Sequence, residues 1–346
     1  MDLYRGNVNR TLAKRFMVQD IIARYPDYPA RTLAKTLHAE SPELFDSVEA
    51  ARCQIRWHLG QLGQQSRDAK KASHRKPRKS GQLMDIPKSK AKPIKPHFIR
   101  GQNKMLIISD LHLPYHDEQA IRVALEKGKA EDVNIVILLG DILDMYQMSQ
   151  WVKDPKNPNM ATEIEICRRF LEMLRQEFPK ADIIWKEGNH EERWTTYFYR
   201  NAPDVAVLPG MTVYDYMNVD QYGIQVIREK RPINVSTHLL YHGHELPRGL
   251  TNPVNQARGQ WLRATANMIA GHGHRTSTHV ERSATGQIFS NWSIGCLCDL
   301  TPQYAPINKW NHGFGILTQE GPKSFHFNNY SIHDGKLFGA PKNVER

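Results

Sequence analysis

The sequence predicts an α/β domain of layered sheet and helices, preceded by a small all-α region and a basic linker. Three observations carry this. From Lys104 onward, short apolar runs alternate with amphipathic helical segments. Before residue 65 the apolar spacing is helical throughout. Between the two lies a stretch too charged and too poor in apolar residues to bury a core. The 346 residues allow two or three domains, at roughly 100–200 residues each.

The elements follow in chain order. Residues 11–26 carry Leu12, Phe16, Ile21 and Ile22 on or near one helical face and stop before Pro26. A second helix begins at Pro29, a residue suited to a first helical turn. A third spaces Val48, Ala51, Ile55, Leu59 and Leu62 helically, with Asp46 and Glu49 as a capping box. Three short helices over residues 1–65 fit a helix-turn-helix-like DNA-binding domain, the third turning Arg52, Arg56 and His58 outward. A generic three-helix protein-interaction module fits the same pattern. Residues 66–103 read as a disordered linker that can lie along phosphate backbones. The domain from 104 to 346 opens with the strand "KMLIISD" and a helix N-capped by Asp117. It continues with "VNIVILLGD", a helix through "TEIEICRRFLEMLRQEF", and the strand "ADIIW". From Thr276 strands dominate.

Charge is distributed unevenly. Residues 1–104 hold 22 Lys/Arg and 9 Asp/Glu, whereas the rest hold 25 and 27. A basic excess confined to the first third points to a polyanion partner, DNA or another nucleic acid, with a solubilising tail as the other reading. No apolar run approaches the ~18 residues of a membrane span, and the N-terminus has no secretory h-region. Four scattered cysteines suit a reducing compartment, so a cytoplasmic protein without membrane contact is expected.

Five apolar runs end alike. "IISDLHLP" presents Asp110 and His112, "ILLGDILD" Asp141 and Asp144, and "IWKEGNHEER" Asn189 and His190. "LLYHGHE" presents His242 and His244, and "IAGHGHR" His272 and His274. Sites in open α/β sheets form at the carboxyl ends of strands, so these five segments have a shared meeting place. Oxygen and imidazole donors in this number suit two divalent metals, one carboxylate bridging them. Mn is the expected metal, with Zn, Fe or Ni as alternatives.

The ordered set "DLH", "GDILD", "GNHE", "YHGH", "GHGH" resembles the calcineurin-like metallophosphoesterase family over residues 104 to about 300. The forms "NHEERW" and "GCLCDLTPQYAPINKWNHGFG" are similar to members carried by bacteriophages and prophages. The resemblance implies a four-layer α/β/β/α sandwich and a dinuclear centre. It implies that Asp110, His112 and His274 hold one metal, that Asn189, His242 and His272 hold the other, and that Asp141 bridges. It further implies in-line attack of metal-activated water on phosphorus, with His190 protonating the leaving oxygen and Asp144 orienting His190. His116, Arg193, His244 and Arg275 lie beside the motifs as candidate substrate contacts. Glu191 and Glu192 read as acidic residues at a helix N-terminus.

One departure narrows the substrate. Met145 stands where protein phosphatases of this family carry an arginine. The insertion "YQMSQWVKDPKNPNMA" reads as a surface loop over the site, and Cys296 and Cys298 as core thiols. The expected activity is a two-metal phosphodiesterase or nuclease brought to DNA by its basic N-terminal third. The alternative is a DNA-binding regulator whose phosphoesterase domain acts on a small nucleotide or a phosphoprotein.

Overall fold

The computed structural model describes residues 7–62, 86–154, 156, 159–247, 254–322 and 324–338. They fall into two compact units, divided between Lys90 and Ala91.

In the first unit, α1 (Asn7–Arg24), α2 (Ala30–Glu40) and α3 (Val48–His58) enclose a core of Val18, Ile21, Leu33, Leu37, Phe45, Ala51 and Ile55. Two sequence expectations are corrected. Leu12 and Phe16 are 64% and 68% exposed. The buried stripe of α1 is set by Val18, Ile21 and Ile22, and at 100° per residue Phe16 sits about 160° around the helix from Val18. The N-cap of α3 is Ser47, whose hydroxyl accepts from Ala50 N at 3.1 Å, rather than Asp46.

The linker expected over 66–103 is also shortened. Residues 63–85 lie outside the described ones, but His97–Ile99 (β1) pairs in parallel with Ile233–Val235 (β6) and belongs to a sheet.

The second unit contains two sheets. Four parallel strands form the centre of the first: β2 (Asn103–Ile108), β3 (Ile135–Leu138), β4 (Asp182–Lys186) and β5 (Ile224–Ile227). Antiparallel β11 (His312–Gln319), β12 (Phe325–His333) and β13 (Lys336–Phe338) extend it beyond β2. The second sheet runs β1, β6, β7 (His238–Tyr241), β8 (Met268–Ala270), β10 (Ile288–Ser293), β9 (Ser277–Arg282).

The central strands carry unbroken apolar runs, 105–108 in β2, 135–138 in β3 and 183–185 in β4, because both faces are covered. Along β2, Met105 and Ile107 meet Ile233, Val235, Leu240 and Ile269 of the second sheet. Alternate residues Leu106 and Ile108 face the opposite way, into the core with α4 (Glu118–Ala130) and α5 (Met160–Glu177). Asp117 caps α4 as expected, accepting from Ala120 N at 2.7 Å. A further helix, Gln256–Ala264, packs on β9 and β10, completing helix, sheet, sheet, helix. Among the described residues no helix is long and apolar enough to cross a membrane.

Candidate metal centre

Strands β2, β3 and β4 of one sheet and β7 and β8 of the other end at the same place. Asp110 and His112 follow β2, Asp141 and Asp144 follow β3, and Asn189 and His190 follow β4. His242 directly follows β7, and His272 and His274 follow β8. Five of these residues hold left-handed backbone: Asp110 (φ 56°), His112 (48°), Asp141 (52°), His272 (60°) and His274 (51°). Such conformations cost on the order of 1–3 kcal/mol each and persist where surrounding structure imposes them. Packing here is tight enough to demand glycine. A Cβ on Gly140, itself at φ 91°, would lie 2.5 Å from His242 Nδ1, and one on Gly271 would lie 2.6 Å from Asp110 Oδ2.

The side chains converge. His112 Nε2 and His274 Nε2 are 3.2 Å apart, and His274 Nε2 is 3.1 Å from Asp110 Oδ1. His242 Nε2 lies 3.1 Å from Asp141 Oδ2 and 3.2 Å from Asn189 Oδ1. Asp141 Oδ2 is also 3.9 Å from His112 Nε2, so it stands between the two groups. Donor atoms of Asp110, His112 and Asp141 lie within 4.8 Å of one another, as do those of Asp141, His242 and His272. These Asp and His groups are positioned for divalent metal. Asp110 Oδ1 is buried with no hydrogen-bond partner, and imidazole nitrogens aimed at each other across 3.2 Å are relieved by a cation between them.

The local fields agree with that donor set. Burial would push the His242 imidazole down, but Asp141 and Asp110 outweigh it and lift it to about 10. Burial, with the charge of His242, brings His272 down to about 4. Burial opposes ionisation of Asp144, yet His112 and His190 hold its carboxyl well below the usual carboxylate range.

Rings are oriented from behind. His112 Nδ1 meets Asp144 Oδ1 at 3.0 Å, and His242 Nδ1 donates to the Leu139 carbonyl at 2.8 Å. His190 Nδ1 donates to the Asp144 backbone carbonyl at 2.6 Å and lies 3.4 Å from its carboxylate. Thus Asp144 reaches His190 chiefly through its main chain. Arg193 donates to the same carbonyl at 2.8 Å and to His190 Nε2 at 2.9 Å. Met145 is fully buried in the helix-side core.

The four candidate substrate contacts separate. Arg193 and His244 line a hollow beside Asn189, with His244 Nε2 3.1 Å from Glu192 Oε1. Arg275 lines an adjoining hollow with His272. His116 lines a different cavity with Glu118, Ile121 and Arg122 of α4, while its backbone bridges that of Cys298 beside the site. Residues Met148–Trp151 of the insertion line the hollow beside Asn189.

The contacts of several further residues were not foreseen from the sequence. Glu191 is buried, and its carboxylate accepts from the backbone N–H groups of Gly188, Asp141, Ile142 and Leu143 at 2.7–3.1 Å. It stands at the helix start as expected, and it also ties together the loops after β3 and β4. Beneath the site, fully buried Lys186 pairs with Glu245 at 2.8 Å, and Glu245 accepts from Gly243 N. Trp310 packs its ring 4.2 Å from that of His274. Cys296 and Cys298 are buried as expected, but Cys298 Sγ faces His274 Nδ1 at 4.0 Å. Each of these residues has a partner distant in sequence, and the sequence signalled only the "GNHEE" run and the burial of the two thiols.

The two sheets bring carboxylates and imidazoles to one cluster suited to metal, the arrangement of a metal-dependent phosphoric ester hydrolase of the family matched next. The calcineurin-like phosphoesterase pattern matches residues 104–294, more than half of the chain, and the protein belongs to that family. No curated protein sequence matches it. Among solved structures, Vps29 from Entamoeba histolytica is 14% identical over 68% of this chain and 95% of its own, with a TM-score of 0.36. The phosphoesterase YfcE from E. coli is 16% identical, covering 64% of this chain and 96% of its own, at TM-score 0.32. Nuclease MPE from Pseudomonas putida is 18% identical, over 64% and 85%, at TM-score 0.29.

Proposed function

We propose that the protein is a two-metal phosphodiesterase directed at DNA, a nuclease, with Mn as the metal. The observation that carries the two-metal reading is the pair of donor groups that meet at Asp141. Asp110, His112 and His274 would hold one ion, and Asn189, His242 and His272 the other, with Asp141 shared. When bound, the ions supply charge neutralisation on the phosphoryl group and lower the pKa of a bound water. The DNA reading is supported by the basic excess of residues 1–104 and by the absence of an arginine at Met145, where a phosphomonoester would be gripped.

His190 supplies the proton for the leaving oxygen. Its Nδ1–H is fixed on the Asp144 carbonyl, which leaves Nε2 facing the site. In the absence of substrate, Arg193 occupies Nε2. A phosphate entering the site competes for that guanidinium, a geometry suited to phosphate oxygens, and frees Nε2 to carry its proton. His190→Gln is therefore expected to retain bound metal while slowing turnover ~10²–10⁴-fold, the scale of general acid catalysis. The loss should shrink for a p-nitrophenolate leaving group, which needs no proton. Normal turnover of an alkyl diester by the variant would remove His190 from this role.

The direct test is cleavage of end-labelled single- and double-stranded DNA with Mn²⁺, beside a phosphomonoester and a phosphodiester chromogen. DNA cleavage by the wild type, absent in an Asp141→Asn variant, is the expected result. Hydrolysis of chromogens without DNA cleavage would leave the hydrolase standing and remove the nuclease.

A further inference from the structure

The surroundings of the centre are chemically unlike on its two sides. On the side of His112 and Asp144 lies a cavity of about 360 Å³ walled by Tyr115, Tyr146 and Tyr304, with Gln303 and Asp299 at its edge. It contains no Lys or Arg, and its two carboxylates, Asp144 and Asp299, would repel a phosphate. On the side of Asn189 and His272, two adjoining hollows of about 500 and 390 Å³ share Arg263. Their walls add Arg200, Arg275 and Lys309. Among the described residues none of these four cations has a carboxylate partner, and the only carboxylate in those walls, Glu192, lies against His244.

We infer that the site takes an unpaired polynucleotide strand, the base on one side of the scissile phosphate entering the tyrosine cavity and the phosphates on the other side following Arg200, Arg263, Arg275 and Lys309. The inference rests on the phosphodiesterase reading above and adds the state of the substrate. Tyrosine faces accept any base by stacking, while Gln303 and Asp299 offer acceptors and a donor to its edge. The volume is at the small end of ligand pockets, ~300–1,000 Å³, so it suits a single base and not a base pair. A base enters such a cavity only when it has left its stack, which an unpaired strand allows at the lowest cost. Tyr146 is held in the cavity wall because its hydroxyl accepts from Asp154 N at 2.7 Å. Tyr304 is 71% exposed, so its substitution disturbs little packing.

The experiment compares kcat/KM of the full chain with Mn²⁺ on a labelled single strand, its duplex, and the same strand carrying stable abasic residues. The expected wild-type result is preference for the single strand, and a loss of roughly 5- to 150-fold at abasic linkages, the 1–3 kcal/mol of one base–aromatic stack. Tyr304→Ala should show that same loss on the normal strand and little further loss at abasic linkages. Tyr304→Phe, which keeps the ring, should restore wild-type behaviour. Equal cleavage of normal and abasic strands by the wild type, or of duplex and single strand, overturns the inference and leaves the nuclease reading intact. Hydrolysis of a chromogenic diester with no polynucleotide cleaved overturns both.

Discussion

Asp141→Asn is expected to abolish metal-dependent hydrolysis and, in the same protein, to erase the rise in thermal stability that Mn²⁺ produces. Asp141 is 1% exposed, and its carboxylate faces His242 at 3.1 Å and His112 at 3.9 Å. As the proposed shared ligand it would serve both ions, so its loss should exceed the ~10–100-fold cost of disturbing a mere outer partner of a ligand. An ion that binds only the folded chain stabilises it by about 2.7 kcal/mol at one hundred times its dissociation constant. That increment should be present in the wild type and missing in the variant. The metal-free variant should melt earlier than the metal-free wild type, because the carboxylate that pairs with the buried His242 imidazole is gone. Burial opposes ionisation of Asp141, yet His190 and His242 hold its carboxyl well below the usual carboxylate range, so its charge supports the fold and its loss costs stability. Scanning calorimetry with and without Mn²⁺, beside metal analysis of dialysed protein, reads all three quantities. A variant that still gains stability from Mn²⁺ would show that Asp141 is not the shared ligand.

The parts of the molecule legible in the sequence are those that repeat a local rule. The continuous apolar runs of β2 to β4 announce strands covered on both faces, and the structure has Met105 and Ile107 on one face with Leu106 and Ile108 on the other. The Asp and His at each strand end were legible because α/β sheets gather such residues at one edge. What was illegible depends on long-range partners. β1, within the basic stretch, becomes a strand only because β6 stands ready to pair with it. His116 sits two residues beyond the "DLHLP" motif, just before Asp117 caps α4, and its place is set by a backbone bridge to the distant Cys298. Leu12 and Phe16 looked like core because apolar residues on one short helix admit more than one stripe, and only α2 and α3 choose among them.

Glu191 is the sharpest case, and its removal carries the second large expected effect. From the sequence, the residue after His190 reads as a charge at a helix start, favoured by the helix dipole. In the fold it is turned inward. Oε2 accepts from Gly188 N at 2.8 Å and Asp141 N at 3.0 Å, and Oε1 accepts from Ile142 N at 2.7 Å and Leu143 N at 3.1 Å. Burial, reinforced by Asp141, pushes this carboxyl up to about 7, while the N–H groups of Leu143 and Gly188 pull against the rise. Glu191→Ala leaves four buried donors without acceptors, each worth about 1–3 kcal/mol. After partial relaxation a destabilisation of about 3–5 kcal/mol is expected, enough to lower Tm by roughly 6–20 °C in a domain of this size. Glu191→Gln, which retains one acceptor oxygen but turns an amide N–H₂ toward two donors, should fall between. Metal affinity should drop with stability, because Asp141 and Asn189 are carried by the two loops that Glu191 joins. A Glu191→Ala protein that melts as the wild type does would mean that the strand ends hold their geometry without it, and that the ligand positions are fixed by the left-handed backbone at Asp110, Asp141 and His272 alone.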